Sequence, residues 1–402
     1  MSVKKRQVAS YSHLLASETN LGKFNDYVIS ADTLPMLPGL VPVNSKHLSL
    51  LFLRHGDSRM ICRSLMALSV FSLSLLTPQI VAADQPFVPG TGEKVSQVGD
   101  DFEDARWSYV MNGSKASYEQ DEQQRPPGGK SRNGRWYESA LRGQPDVIKR
   151  VPTPPGGLEG SEGALLMATK FSGVPGELSG KQMQDDLLMG VTSRVGRAVP
   201  ASWSPSCTVK VYLPDFDKWE NRTGASFGIR ADVRGRDRDG AIEPYWPGFF
   251  LLFRSETSKR FEEDYAQISI RAQQNGRDLT GPKIDKPGWW TFGMSFTPDG
   301  QVHFYASEGV DDLTEEDHLF SSFPYGSKCL FFDNFFFDVA NWENGRNWST
   351  PWIVDNAEFF VIPPEGKELA HLFRFRGRVN LAGGQRGTSR NIKATRGRRV
   401  RR

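Results

Sequence analysis

Cysteine is scarce in this chain, which has three cysteines and six histidines among its 402 residues. A small domain held together by many disulfides is therefore excluded, and the scattered Cys and His residues do not predict a zinc site. Long apolar runs are also few, because residues 65–83 are the one segment of that kind, and this excludes a polytopic membrane protein. Strong helical periodicity is missing too, which excludes a coiled coil or a helical bundle.

Turn-forming and aromatic residues are abundant instead. The chain contains 39 glycines and 25 prolines, and aromatic residues make up 11% of it. Strands favour aromatic residues and turns favour Gly and Pro, so this composition predicts short strands joined by turns. The length allows two or three domains, or one large β domain with extensions.

Several segments alternate between apolar and polar residues, which is the pattern of half-buried strands. Residues 207–213, 226–233, 265–271 and 290–296 each have one apolar and one polar face, and Thr297-Pro-Asp-Gly300 is the turn of a hairpin. About ten antiparallel strands with one apolar face each must stack into two sheets. The sequence therefore predicts an all-β fold, a sandwich of two antiparallel sheets.

The N-terminal part has the features of a secretory signal peptide. Arg63 precedes an apolar run, Pro78 breaks it, and small residues precede a cleavage site after Ala83. The predicted mature protein begins at Asp84, is secreted or periplasmic, and has no stable membrane span after cleavage. The alternative is a signal anchor that retains residues 1–59, but Pro78 and the cleavage site favour cleavage.

Charge is distributed unevenly along the chain. Residues 84–370 carry 31 basic and 43 acidic side chains, whereas residues 371–402 carry 11 basic and no acidic ones. An acidic body argues against nucleic acid as the main partner. The basic tail is predicted to be disordered, and the alternatives are contact with an anionic polymer, with lipid head groups or with the acidic body.

The predicted organisation has five parts. They are a mis-assigned upstream extension (1–59), a signal peptide (60–83), a leader (84–100), the sandwich (101–365, with a long polar insertion at 112–163) and the basic disordered tail (366–402).

Three stretches resemble the jelly roll of the concanavalin A-like lectin/glucanase superfamily. Residues 100–107 resemble its opening strand, 289–305 its central hairpin, and 353–361 the closing strand that pairs beside the first. The resemblance implies a jelly-roll sandwich in a secreted bacterial protein of unassigned function, since the superfamily includes sugar-binding modules, glycoside hydrolases and adhesive domains. Several relatives hold a structural calcium between these strands. The matching acids here are Asp101, Glu103 and Asp355, with surface acids near strand ends as the alternative.

Hydrolases of this superfamily carry alternating acids of the type Glu-x-Asp-x-x-Glu on one strand. Asp215, Asp217 and Glu220 have this spacing, but the first residue is Asp and the segment follows Pro214 at a strand end. An acidic loop is the alternative interpretation. A binding module without catalysis is therefore favoured, with a glycoside hydrolase or lyase of the same fold as the alternative.

The polar strand faces supply the predicted ligand site. Its residues are Tyr212, Arg230, Asp232, Gln267 and Arg271, with Tyr245 and Trp246 at the rim. Aromatic faces stack on sugar rings while Arg, Asp and Gln bind hydroxyls, so a groove for a polysaccharide or cell-surface glycan is predicted. A second aromatic group is Trp342, Trp348 and Trp352, for which packing is the alternative interpretation.

Two cysteines remain after cleavage, Cys207 and Cys329. Both residues begin segments with the apolar alternation of a strand. Export supplies an oxidising environment, so one disulfide is predicted. Two buried free thiols are the alternative.

Overall fold

The computed structural model describes residues 85–174 and 178–373. The predicted upstream extension, the signal peptide and the basic tail beyond Phe373 lie outside these ranges. Within them, no helix has both the length and the apolar character that crossing a membrane requires.

Strands dominate the described part of the chain. They are β1 (Glu93–Lys94), β2 (Tyr109–Val110), β3 (Lys130–Ser131), β4 (Trp136–Glu138), β5 (Val147–Val151), β6 (Ala164–Ala168), β7 (Gln182–Met189), β8 (Val199–Pro200), β9 (Ser206–Leu213), β10 (Gly224–Arg236), β11 (Ile242–Tyr245), β12 (Gly248–Arg254), β13 (Tyr265–Arg271), β14 (Asp278–Ile284), β15 (Gly288–Phe296), β16 (Val302–Glu308), β17 (His318–Ser322), β18 (Lys328–Trp342) and β19 (Trp352–Val361).

Helical structure in residues 85–174 and 178–373 is limited to single turns. The α-helices are α1 (Tyr118–Asp121), α2 (Val191–Val195) and α3 (Leu369–Leu372), and 3-10 turns occur at Ala201–Trp203, Phe216–Lys218, Glu256–Ser258, Glu315–Asp317 and Pro324–Gly326.

The strands form two antiparallel sheets. The small sheet has eight strands in the order β17-β16-β15-β9-β19-β6-β5, with β1 beside β19. The large sheet has eleven in the order β14-β13-β12-β10-β18-β7-β4-β3-β2, with β11 beside β10 and β8 beside β18. The predicted two-sheet sandwich is confirmed. The predicted opening strand at 100–107 is wrong, because only Asp100 of that stretch bridges to the closing strand, at Ala357, and β1 is the segment that pairs beside it, with Glu93 opposite Val361 of β19.

The core lies between the two sheets, where the period-two pattern places the apolar side chains. In β10 of the large sheet, Phe227 and Ile229 are buried, and in β15 of the small sheet, Phe292 and Met294 are buried. Phe249 on β12 meets Phe292 from the facing sheet with ring centroids 5.3 Å apart. The inward faces predicted from the sequence are therefore confirmed for these strands.

The predicted leader (84–100) and the polar insertion (112–163), neither of which was predicted to form strands, both contribute to the sandwich. In the predicted leader, Val95 and Val98 are buried in the core, and the Phe87 carbonyl accepts a 2.6 Å hydrogen bond from Ser295. The predicted insertion supplies β4 to the large sheet and β5 to the small sheet. Both segments are structural parts of the fold.

The predicted disulfide is wrong. Cys207 lies on β9 of the small sheet and Cys329 on β18 of the large sheet, and both thiols are free and buried. Facing sheets pack about 10 Å apart, beyond the roughly 7 Å between Cα atoms that a disulfide can bridge. Burial raises the pKa of each thiol to about 12, which makes both unreactive.

Candidate functional site

A cluster of charged residues lies on the outer face of the large sheet, opposite the core. Asp186 on β7 is paired directly across from Asp338 on β18. Both are almost fully buried although they point away from the core. Arg230 on β10 and Arg142 from the loop after β4 complete this acid–arginine cluster (Asp186, Asp338, Arg230 and Arg142).

A glycine makes room for one of the two acids. Gly228 on β10 is paired with Asp338, and a Cβ atom at position 228 would lie 2.4 Å from Asp338 Oδ2. The carboxylate therefore occupies the space that a side chain at position 228 would fill. Any larger residue there would displace the Asp338 carboxylate.

Arg230 is held by aromatic rings and by one carbonyl. Its guanidinium lies 5.2 Å from the Phe250 centroid and 5.5 Å from that of Phe336. One terminal nitrogen donates to the Trp246 carbonyl at 3.0 Å, and the other lies 3.6 Å from Asp338 Oδ2. The Arg230 Nε is buried and has no hydrogen-bond partner among the described residues. The side chain is fixed, yet one donor remains unused.

The surroundings of the two facing carboxyls favour the protonated form of Asp186. Burial, and then the charge of Asp338, raise the pKa of Asp186 well above its usual range, while the charge of Arg142 opposes the shift. Neither oxygen of Asp338 accepts a hydrogen bond from an N–H or a hydroxyl group of the described residues. A proton on Asp186 therefore supplies the donor that Asp338 lacks, and Gln184 donates to Asp186 at 3.1 Å.

Arg142 connects the cluster to solvent. Its Nε donates to Glu119 Oε2 at 2.6 Å, and its side chain is 21% exposed. Glu119 belongs to α1, so the segment predicted as an insertion supplies one side of the site. Arg142 carries a positive charge towards the two acids while Glu119 neutralises it from the other side.

The stability difference between the Asp186→Asn variant and the wild type should depend on pH. Asp186 binds its proton more tightly when folded, so its contribution to the free energy of unfolding is unfavourable above its folded pKa. This destabilisation disappears when the pH falls below the pKa of Asp186 in the unfolded chain, near 4. Asparagine lacks this titration, so the stability of the variant relative to wild type should increase with pH. Urea unfolding between pH 4 and pH 8 measures it, with exposed Asp217→Asn as the control. A difference that is constant with pH would contradict the assignment.

Four predicted ligand residues do share the outer face of the large sheet, and a fifth borders it. Arg230, Asp232, Gln267 and Arg271 lie on β10 and β13, and the Trp246 side chain hydrogen-bonds to Asp232. Asn334 also donates to Asp232 at 3.2 Å, and burial raises the pKa of Asp232 to about 6.

The polar groups of two of these residues are already engaged. Arg271 pairs with Asp278 and donates to the Tyr325 hydroxyl at 3.1 Å, and its guanidinium lies 5.2 Å from the Phe250 centroid. Gln267 donates to the Gly281 carbonyl at 2.5 Å. These contacts leave the acid–arginine cluster as the part of this face with unused hydrogen-bonding groups.

The other two predicted ligand residues lie elsewhere. Tyr212 is on β9 of the small sheet, where its ring lies 5.4 Å from that of Trp289, so it cannot join the others. Tyr245 is buried in the core beside Tyr325, with centroids 6.0 Å apart, and it does not form a rim. The single groove expected from all seven residues is therefore wrong in these two members. Period two identifies a strand face but not the sheet to which the strand belongs, which misplaced Tyr212, whereas Tyr245 belongs to the large sheet but is buried.

The alternative catalytic acids do not converge. Asp215 and Asp217 are exposed around a 3-10 turn, and Asp217 pairs with Lys218 at 2.6 Å. Glu220 is buried, accepts from the Trp342 N–H at 2.8 Å and pairs with Arg222 at 2.6 Å. Both oxygens of Glu220 thus have structural partners.

The predicted metal-ligating acids are neighbours. The Ser161 hydroxyl lies 2.9 Å from both Glu103 Oε1 and Asp355 Oδ2. Burial raises the pKa of Asp355 to about 6, and the charges of Glu103 and Asp101 add to the shift. Nowhere in residues 85–174 and 178–373 do three or more His, Cys, Asp or Glu residues form a group that could hold a metal. The structural calcium stays a prediction.

The second aromatic group is divided. Trp352 is fully buried, whereas Trp342 and Trp348 are 43% and 49% exposed. Trp348 borders a cleft of about 420 Å³ that Lys149 and Glu220 also line. Packing is therefore the correct interpretation for Trp352.

Comparison with known proteins yields structural similarity at low scores. No protein-family model and no curated protein matches the chain. A carbohydrate esterase of the Shiga toxin-encoding bacteriophage phi24B is 9% identical, with 64% of this chain and 100% of that chain covered and a TM-score of 0.35. The PL7 alginate lyase AlyA1 from Zobellia galactanivorans is 10% identical, with 65% and 91% covered and a TM-score of 0.30. The carbohydrate recognition domain of Emp47p is 10% identical, with 68% and 100% covered and a TM-score of 0.30. The fold assignment rests on the strand order of the chain itself.

Sequence reasoning missed three of the four cluster residues. Asp338 follows three consecutive phenylalanines in a strand, and an acid inside so apolar a run is a sign of a buried, paired carboxyl. Asp186 carried a weaker version of this signal. Arg142 carried none, because its position depends on how a long loop folds back onto the sheet.

Proposed function

We propose that the protein binds a saccharide on the outer face of the large sheet, at the acid–arginine cluster, without cleaving it. The observation that supports this most directly is unused hydrogen-bonding capacity. The Arg230 Nε is a donor without a partner, and both oxygens of Asp338 are acceptors that lack one apart from a proton on Asp186. An unpaired buried polar group costs about 1–3 kcal/mol, so a ligand hydroxyl that displaces the covering side chains and pairs with these groups recovers that cost. Neighbouring sugar hydroxyls each donate and accept, which matches this combination.

The charge balance favours a neutral saccharide over an acidic one. Each arginine near the cluster has a carboxylate partner, because Arg142 pairs with Glu119, Arg271 with Asp278, and Arg234 with Asp333 at 2.6 Å. No uncompensated positive charge among these arginines would attract a uronate. The aromatic rings of Phe250 and Phe336 fix Arg230 in place, so little side-chain entropy is lost on binding.

Asp338→Asn should weaken binding of a neutral polysaccharide at least about 10-fold, which corresponds to about 1.4 kcal/mol. Asparagine keeps the shape but presents only one acceptor oxygen. Calorimetric titration of the full chain with polysaccharides selected on a glycan array measures this. Arg234→Gln, on the same face of the large sheet but on the neighbouring strand β10 and paired with Asp333, is the control and should bind within about twofold of wild type. The proposal fails if no neutral polysaccharide binds, or if Asp338→Asn binds as wild type does.

Cleavage of a glycan is the second candidate function, and the raised pKa of Asp186 favours it. A carboxyl whose pKa is raised well above its usual range can act as a general acid. The hydrogen-bonded acids are, however, closer than the about 5 Å that retaining hydrolysis requires, which is why binding is preferred. A reducing-sugar assay that detects products from wild type but not from Asp186→Asn would establish cleavage.

We also propose that the protein acts outside the cytoplasm, as a secreted or periplasmic protein. This rests on the signal-peptide pattern of residues 60–83. N-terminal sequencing of the exported protein should find Asp84 as the first residue, and recovery of Met1 or Met60 would contradict it.

A further inference from the structure

A serine lies between two histidines on the outer face of the small sheet, away from the acid–arginine cluster. Ser321 is on the edge strand β17, directly opposite His303 on β16. The Ser321 Oγ is 2.6 Å from His303 Nδ1 and 2.7 Å from His318 Nε2. His303 is fully buried, whereas Ser321 and His318 are half-buried.

The hydrogen bonds around His303 have one consistent direction. The Thr297 hydroxyl donates to Asp299 Oδ1 at 2.7 Å, so its oxygen is left to accept from His303 Nε2 at 3.0 Å. With its proton on Nε2, His303 presents an unprotonated Nδ1, and the Ser321 hydroxyl donates to it. Ser321, His303 and Thr297 thus stand in the order of a nucleophile, its base and the group that orients the base.

His318 completes the arrangement from the other side of Ser321. Because the Ser321 proton points to His303, His318 Nε2 is the donor in the 2.7 Å contact. Once Ser321 Oγ bonds to the acyl carbon, the oxyanion on the acyl oxygen is two bonds from Oγ and within reach of this N–H. Burial lowers the pKa of His303 to about 4, with a further contribution from His318, so the imidazole is neutral at neutral pH and its Nδ1 lone pair can accept the Ser321 hydrogen bond.

We propose that Ser321 is an activated nucleophile that cleaves esters of small carboxylic acids, with His303 as its base. Ser321 Oγ bonds to the acyl carbon while its proton passes to His303 Nδ1. The bond between the acyl carbon and the alcohol oxygen then breaks, and the alcohol takes the proton from His303. Water repeats the sequence on the acyl-serine and releases the carboxylic acid and free Ser321. A small acyl group is specified because Ser321 is half-buried at a sheet edge beside the ring of His318.

The test is covalent labelling of the full chain with a fluorophosphonate probe, followed by peptide mapping. We expect the label on Ser321, its complete loss in Ser321→Ala, and a burst of p-nitrophenol from p-nitrophenyl acetate that the same variant lacks. Ser322→Ala is the matched control, since Ser322 is the next residue on the same strand with its side chain on the opposite face, and it should label like wild type.

A second variant separates chemistry from folding. His303 is buried and its replacement can unfold the chain, so His318→Asn, at a half-buried position, is used as well. It should label at least 10-fold more slowly than wild type with an unchanged circular dichroism spectrum. The proposal is overturned if Ser321 is not labelled faster in the folded than in the denatured chain, or if His318→Asn labels at the wild-type rate. Neither outcome bears on saccharide binding, because the acid–arginine cluster is on the other sheet.

Discussion

Replacing Trp352 by alanine should lower the free energy of unfolding by about 3–5 kcal/mol. Trp352 on β19 of the small sheet is fully buried and reaches across the core. Its ring stacks on Phe227 of the large sheet and meets Trp219 edge to face, each with centroids 4.7 Å apart. Its Nε1 donates to the Ser226 carbonyl at 3.2 Å. The substitution removes a contact between the sheets, opens a cavity and leaves that carbonyl without its partner.

Trp348→Ala is the matched control, because Trp348 lies four residues earlier in the chain and is 49% exposed. Its substitution should change stability by no more than about 0.5 kcal/mol. Urea denaturation followed by circular dichroism measures both variants. Equal losses in the two would show that Trp352 does not bridge the sheets as described.

Replacing Lys115 by methionine should also cost about 3–5 kcal/mol, for an electrostatic reason. The Lys115 side chain is 3% exposed, and its Nζ lies 2.8 Å from both Asp146 and Asp185 and 2.6 Å from the Phe171 carbonyl. The Asp185 side chain is fully buried, and burial already raises its pKa to about 6. Removing the ammonium leaves this carboxylate in the interior without its counter-charge.

Two further variants identify that cause. Lys149→Met, at an exposed position, should be nearly neutral. The double variant Lys115→Met/Asp185→Asn should recover part of the lost stability, because it removes the uncompensated charge together with the lysine. If the double variant is no more stable than Lys115→Met, the loss arises from packing and the electrostatic explanation is wrong.

The sequence predicted which face of a strand is buried better than it predicted the sheet to which the strand belongs. Alternation correctly separated the inward residues of β9 and β10, since side-chain direction is a local property of a strand. It could not show that β9 belongs to the small sheet and β10 to the large one, because that depends on pairing between distant segments. The misplacement of Tyr212 and the wrong disulfide between Cys207 and Cys329 share this single cause.

The candidate sites were less predictable than the fold. Arg230 was singled out because it lies on a polar strand face, but its partner Asp338 was overlooked inside an apolar run. Ser321 and His303 are separated by 18 residues, and only the pairing of β16 with β17 brings them together. Such neighbours arise from the pairing register between strands, which composition and the local alternation of residues do not determine.

The position of β19 has a consequence for how the chain is made. This strand lies between β9 and β6, so it alone joins the β5–β6 hairpin to the rest of the small sheet. Trp352 pairs with Met167, a contact between residues far apart in sequence, and such contacts form late and slow the folding of β proteins. Until β19 has paired with both neighbours, β6 and β9 therefore keep open edges. Open edges can pair with those of other chains, so the species most prone to aggregation is the folding intermediate in which β19 has not yet joined the sheet.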